Sequence, residues 1–229
     1  MNYKMMAYIL GNIMQAEGLL MSISALLALY KGEINELRAF LITIILLLVI
    51  GTAMKHFAPK NKRIYGREGF VIVALSWIVM SIFGAMPFYL SGAIDGAVNC
   101  FFETVSGFTT TGATVLSEIE GLPMSILFWR SFTHWIGGMG VFVFIMAILP
   151  MMGGSTMNLM RAESPGPSVS KLVPRVRDTA KILYGLYMAI TVLGVIMLCL
   201  CGMPLFDSLC TTFGSVGTGG FGVKNSSIG

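Results

Sequence analysis

Residues 99–112 read NCFFETVSGFTTTG, and residues 207–220 read DSLCTTFGSVGTGG. A constant offset of 108 positions lays one on the other: Asn99 on Asp207, Thr110 on Thr218, Gly112 on Gly220. Each copy opens with roughly two helical turns, at about 1.5 Å per residue far too short to cross a bilayer. Asn99 has the chemistry of an N-cap for the first of them. Each copy closes on a run of Thr and Gly with no charge in it. A short helix entering a membrane and an extended segment leading back out make a re-entrant unit. Such backbone survives at membrane depth only where protein encloses it or where it lines a wet cavity. At the same offset the apolar segment near 70–90 moves to about 178–198, where another apolar segment stands. The repeating unit is therefore helix, short pore helix, extended loop, helix, and a fixed period of this kind defines architecture.

The rest of the chain agrees with a membrane setting. Of its 229 residues 55% are hydrophobic and 11% charged, against about a quarter charged in a soluble domain. Five segments reach the length of about twenty apolar residues that a spanning helix needs: Met6–Tyr30, Arg38–Met54, Phe70–Leu90, Ser125–Met152 and Thr179–Cys201. The first is too long for a signal-peptide core and no small-residue cleavage site follows it. The fold class is thus an all-α polytopic membrane protein. Two N-terminal transmembrane helices occupy 1–66 and the first pore repeat 67–160. A cytoplasmic linker fills 161–178, and the second repeat, 179–229, ends just after its loop.

Charge sets the orientation. Eleven of the fifteen Lys and Arg fall on one side: Lys4, the group Lys55, Lys60, Lys62, Arg63 and Arg67, and the group Arg161, Lys171, Arg175, Arg177 and Lys181. The positive-inside rule puts these in the cytoplasm together with the N-terminus. Residues 115–121 and 224–229 then face outside. The basic runs are read as topology signals and not as nucleic-acid contacts. Cys100, Cys199, Cys201 and Cys210 lie in or beside apolar segments with no partner at metal-ligand spacing, so buried inert thiols are expected. GTGGFG at 217–222 matches the dinucleotide fingerprint in letters only, since that motif needs a strand before it and an acidic residue about twenty positions later. No nucleophile, base and orienting acid are arranged for catalysis. The chain reads as a non-enzyme without cofactor or transition-metal site.

An extended Thr/Gly loop can do one thing well. It can aim backbone carbonyls at an axis, and several loops together replace the hydration shell of a cation, as potassium-channel filters do. Glycine serves where dihedrals leave the usual regions or backbones crowd, and threonine adds oxygen without charge. The C-terminal end of each short helix adds partial negative charge.

At these residues the chain resembles the Trk/Ktr/HKT superfamily of potassium transporters, nearest the bacterial Trk membrane subunit. REGFVIVALSW (67–77), SGFTTTGATV (106–115), HWIGGMGVFVFIMAILP (134–150) and GTGGFG (217–222) carry the resemblance, which covers essentially the whole chain. It implies four repeats around one ion pathway in the bacterial plasma membrane, one filter glycine per repeat, a membrane homodimer, and a cytosolic nucleotide-binding regulatory subunit. Carried onto this sequence, the filter glycines are Gly112 and Gly220. Thr109, Thr110, Thr111 and Ala113 flank the first, and Gly217, Thr218, Gly219 and Phe221 the second, with potassium as the transported ion. A closing helix for the second repeat would begin near residue 233, so the sequence reads as a fragment, expected not to support uptake alone.

Other polar residues carry expectations of their own. Glu17, near Asn12 and Gln15, is expected to make a hydrogen-bonded contact between helices. Arg130 is placed to pair with Glu103, or with Glu118 or Glu120, and a Glu103 pair would pin the pore helix. His134 reads as an interhelical hydrogen-bonder and GGMG (137–140) as a site of close backbone approach. The rival function class is an ion-coupled secondary transporter with broken helices at the membrane midplane. Two repeats in the same orientation favour a conduit.

Overall fold

A computed structural model describes residues 2–56, 66–148 and 176–226. They form seven helices and, among the described residues, no strand. These are α1 (Tyr3–Lys31), α2 (Ile34–His56), α3 (Gly66–Ser91), α4 (Ala97–Phe108), α5 (Met124–Ile148), α6 (Val176–Leu200) and α7 (Leu205–Val216). Four stretches, Tyr3–Lys31, Ile34–His56, Glu68–Ser91 and Lys181–Leu200, are long and apolar enough to cross a membrane. The fourth expected span is α5, of which residues 149–152 lie outside the described part. The loop lysines and arginines at 60–63 and 161–175, and most of the expected linker at 161–178, lie outside it too.

The chain opens as a helical hairpin. Gly32, in the left-handed region at φ 73°, ends α1, and α2 starts two residues later. The two helices cross tightly at Gly11 and Gly51. A Cβ on either glycine would stand 2.7–2.9 Å from the other's carbonyl oxygen, the close approach that small residues allow in membranes. The hairpin turn also reaches the pore repeat. Glu33 accepts hydrogen bonds from the backbone N–H groups of Met124 at 2.8 Å and Ser125 at 3.0 Å, and from the Ser125 hydroxyl. It thereby satisfies donors that the first turn of α5 leaves open.

α5 is the centre of the packing. Trp129, fully buried, meets Phe40 of α2 and Phe108 of α4 edge-on, with ring centroids 6.5 and 6.2 Å apart. Its Nε1–H donates to the Gly84 carbonyl at 2.9 Å. Gly84 has to be small, because a Cβ there would press within 2.8 Å of both Phe108 and Thr104. A carboxylate lies on its other side. Glu17 is 2% exposed and points at Gly84, and neither of its oxygens has a hydrogen-bond partner among the described residues. The expected hydrogen-bonded contact is therefore not formed. Glu17 lies on the buried stripe of α1 with Leu10, Met14, Gly18 and Met21. Asn12 and Gln15 are off that stripe and bond elsewhere, to the Tyr8 carbonyl and to Thr52 and Lys55.

The two short helices obey the sequence period to the residue. Each has twelve residues, and the offset of 108 carries Ala97–Phe108 onto Leu205–Val216. The N-cap expected at Asn99 is corrected. The cap is Gly96, at φ 83°, and Asn99 sits inside the first turn with its amide donating to the Asp95 carbonyl at 2.8 Å. An amide one turn into a helix can return to the carbonyl four residues back, and this one does. The thiols are partly corrected as well. Cys100 and Cys210 are buried, Cys199 is half-buried, and Cys201 just beyond α6 is exposed.

Candidate functional site

The C-terminal ends of α4 and α7 open onto one cleft of about 520 Å³. Phe108, Thr109 and Thr110 line it from the first copy and Val216, Gly217 and Thr218 from the second, with Trp77, Gly137, Gly138 and Tyr187 completing the wall. A helix C-terminus carries roughly half a negative charge in unsatisfied carbonyls. Two of them converge on this space, which favours a cation.

Both loops leave their helices by the same three backbone bonds. Thr109, Thr110 and Thr111 donate to the carbonyls of Val105, Gly107 and Ser106 at 2.9, 3.1 and 2.9 Å. Gly217, Thr218 and Gly219 donate to Phe213, Ser215 and Gly214 at 3.0, 3.0 and 2.9 Å. The chain then turns through a left-handed residue in each copy. Thr110 has φ 54° and Thr218 φ 62°, the two non-glycine residues with positive φ among those described, and Gly112 (77°) and Gly220 (82°) follow two positions later. A β-branched residue in that region is strained by about 1–3 kcal/mol and persists only where its surroundings impose it. The twist takes the backbone out of its hydrogen-bond ladder. Among the described residues no backbone N–H is bonded to the carbonyls of Thr109–Gly112 or Gly217–Phe221.

The remaining candidates fall around this geometry. The Thr109 hydroxyl donates to the Val105 carbonyl at 2.7 Å and lies 2.8 Å from that of exposed Thr111. The carbonyl of Ala113 is engaged, accepting from Ser106 Oγ at 2.5 Å. In the second copy Gly214 replaces that serine, and a Cβ there would stand 2.8 Å from the Phe221 carbonyl oxygen. The loops also touch one another, since a Cβ on Gly112 would collide with the carbonyl oxygen of Gly219.

One face of α5 supports both loops. Arg130, Thr133, His134, Gly137 and Gly138 follow the i, i+3, i+4, i+7, i+8 spacing that aligns side chains along a helix. Arg130 Nε donates to Glu103 at 2.6 Å, and its Nη1 donates to the Gly222 carbonyl at 3.0 Å. Of the three acids open to it in the sequence, Glu103 is the partner. Glu103 also accepts from Thr114 Oγ1 at 2.8 Å and Val115 N–H at 3.0 Å, which fixes the exit of the first loop. Thr133 packs on Gly107, where a Cβ would fall on its hydroxyl. His134 Nδ1 lies 2.7 Å from the Gly107 carbonyl, the interhelical bond expected of it. Gly137 and Gly138 admit Phe108 and Gly217: a Cβ on Gly137 would strike the Phe108 carbonyl, and one on Gly138 would stand 3.1 Å from the Gly217 Cα. Sequence reading singled out Arg130, His134 and the glycines separately. It missed Thr133, Thr114, Ser106 and Glu33, and the five-residue helical spacing on α5 was the signal available for Thr133. Among the described residues no group of three His, Cys, Asp or Glu is placed to hold a metal ion.

Helices, short helices and loops together define an all-α polytopic membrane protein built on two successive units of pore-loop type. The sequence model of the family described as "TrkH: Cation transport protein" matches residues 36–229, and the chain belongs to that family. It is 42% identical over 195 residues to the Trk system potassium uptake protein TrkH of Salmonella typhimurium, covering 84% of this chain and 40% of that protein. It is 38% identical to TrkH of Halomonas elongata over all of this chain and 48% of that one. The crystal structure of the potassium transporter TrkH from Vibrio parahaemolyticus superposes with a TM-score of 0.82 at 31% identity, covering 100% of this chain and 46% of that chain. The chain thus spans somewhat under half the length of these relatives.

Proposed function

We propose that this chain contributes two filter loops to a potassium-uptake pathway across a bacterial plasma membrane. Potassium is the substrate, held by carbonyls within Thr109–Ala113 and Gly217–Phe221, and no cofactor takes part. The observation that carries the reading is the matched pair of strained threonines, Thr110 and Thr218, each releasing a run of carbonyls from backbone pairing beside a helix C-terminus. Uncharged oxygens suit a monovalent ion that must enter and leave quickly. The relatives named as potassium uptake proteins support the same ion. The N-terminus lies in the cytoplasm on this reading. The complete protein works as a membrane homodimer with a cytosolic nucleotide-binding regulatory subunit, as the family resemblance implies. A secondary transporter of a small solute is not favoured, because the two copies run in the same sense.

The test is cation flux in proteoliposomes carrying the full-length protein. Gly112→Ser forces a side chain onto the Gly219 carbonyl, at a residue whose φ of 77° already disfavours one. The ratio of potassium to sodium flux is expected to fall. An unchanged ratio in well-expressed protein removes the filter assignment.

A further inference from the structure

We infer that His134 is a positioning residue for ion preference, one imidazole holding the two loops at a fixed separation. The inference rests on the filter reading above and adds to it the part that sets the geometry. The ring is fully buried and touches both copies. Toward the first, Nδ1 meets the Gly107 carbonyl at 2.7 Å. A carbonyl oxygen only accepts, so Nδ1 carries the proton, and in the neutral ring Nε2 is left with a bare lone pair. Gly107 anchors the first loop, because its carbonyl also takes the N–H of strained Thr110.

Toward the second copy the contact is through the ring's face. His134 stacks on Phe221 with centroids 3.9 Å apart and planes at 25°. A Cβ on Gly219 would fall on the ring itself, at Nε2, Cδ2 and Cε1. Gly219 and Phe221 both lie against the ring, on either side of Gly220 at φ 82°. The imidazole is therefore the surface on which this part of the second loop lies. Among the described residues its Nε2 has no hydrogen-bond partner, and it faces the position that a Cβ on Gly219 would take. Gly219 is also the residue whose carbonyl meets Gly112 of the first loop. From the Gly107 carbonyl through the ring to Gly219 and on to Gly112 runs a closed circuit of contacts, and His134 is its only side chain. A hydrogen bond alone, or an apolar filler alone, would keep this residue's contact with one loop and lose its contact with the other.

Two substitutions in the full-length protein separate those halves. His134→Asn keeps an N–H donor near Nδ1 and loses the stack on Phe221. His134→Phe keeps the stack and loses the bond to Gly107. Each is expected to lower the potassium-to-sodium flux ratio by roughly three- to tenfold, the effect of one stacking or hydrogen-bonding contact. Thermal midpoints in potassium and in sodium are measured beside the flux, and the gap between them should narrow in both variants. A lower midpoint with an unchanged ratio and an unchanged gap makes His134 a packing residue only and overturns the inference. Gly112→Ser is run in parallel. If it alters the ratio and the His134 variants do not, the inference fails and the filter stands; if it does not, both fail. Should neither His134 variant fold, Gly219→Ala, which presses a methyl into the ring from the other side, takes their place with the same expected fall and the same overturning result.

Discussion

The guanidinium carbon of Arg130 lies 3.6 Å from the centroid of the Phe221 ring, and the imidazole of His134 covers the same ring at 3.9 Å. Phe221 is held by two residues one turn apart on α5, and Arg130 at the same time grips Glu103 of the first copy. Both ends of that ion pair are at most 2% exposed. Removing one partner of a buried pair leaves an uncompensated charge, at about 3–5 kcal/mol. Glu103→Gln is therefore expected to lower the thermal midpoint of the detergent-solubilised protein by roughly 6 °C or more. A midpoint within 2 °C of wild type, by the rough conversion for a chain of this size, contradicts the buried pairing.

Steric need divides the glycines. Gly137→Ala drives a methyl onto the Phe108 carbonyl, a backbone atom that cannot swing aside. Gly18→Ala meets the Leu47 side chain and the Ile44 carbonyl oxygen at ordinary contact distances, 3.4 Å or more. The first variant should give little folded protein on size-exclusion chromatography. The second should match wild type or gain up to about 1 kcal/mol from helix propensity.

Thr110→Gly tests the strained turn. Glycine reaches φ 54° freely, which relieves about 1–3 kcal/mol, while the looser unfolded chain takes back about 0.5–1 kcal/mol. The midpoint should hold or rise. Thr109→Gly has no such relief to offer and loses the hydroxyl bond to the Val105 carbonyl, so its midpoint should fall. The reverse order would mean that residue 110 is not left-handed.

Orientation can be probed in intact cells with an impermeant thiol reagent, in a background without the native cysteines. A cysteine at 118 should label and one at 62 should not. The first loop's exit and residues 224–225 share one end of the molecule, because Asn225 accepts from the Ile119 N–H at 2.9 Å and its own N–H donates to Glu120 at 3.1 Å. Labelling at 225 should therefore follow labelling at 118. Discordance between the two would break that contact.

The spacing of the repeat made α4, α7 and their loops legible in the sequence. Hydropathy did the same for the long helices, because lipid imposes length and composition so strictly. The paired acid and base were legible as candidates, but three acids stood within reach of Arg130, and only folding brings Glu103 to it. What stayed hidden was contact across distance. Nothing local to Glu33 announces that it will meet residues 124 and 125. Nothing near Gly219 says that a histidine eighty-five positions earlier will occupy the space of its missing side chain. Asn99 misled because a good capping residue need not cap when a glycine three places earlier already turns the chain.

The cap on α5 has a bearing on how the protein is made. Glu33 belongs to the turn of the N-terminal hairpin, which leaves the ribosome some ninety residues ahead of Met124 and Ser125. Until α5 arrives, that carboxylate has no α5 amides to receive, and until the hairpin is in place the first turn of α5 lacks its acceptor. The first two helices thus form a docking template for the helix that later carries Arg130 and His134. Glu33→Ala should accordingly reduce the yield of inserted, protease-resistant protein, while the molecules that do mature keep their ion preference.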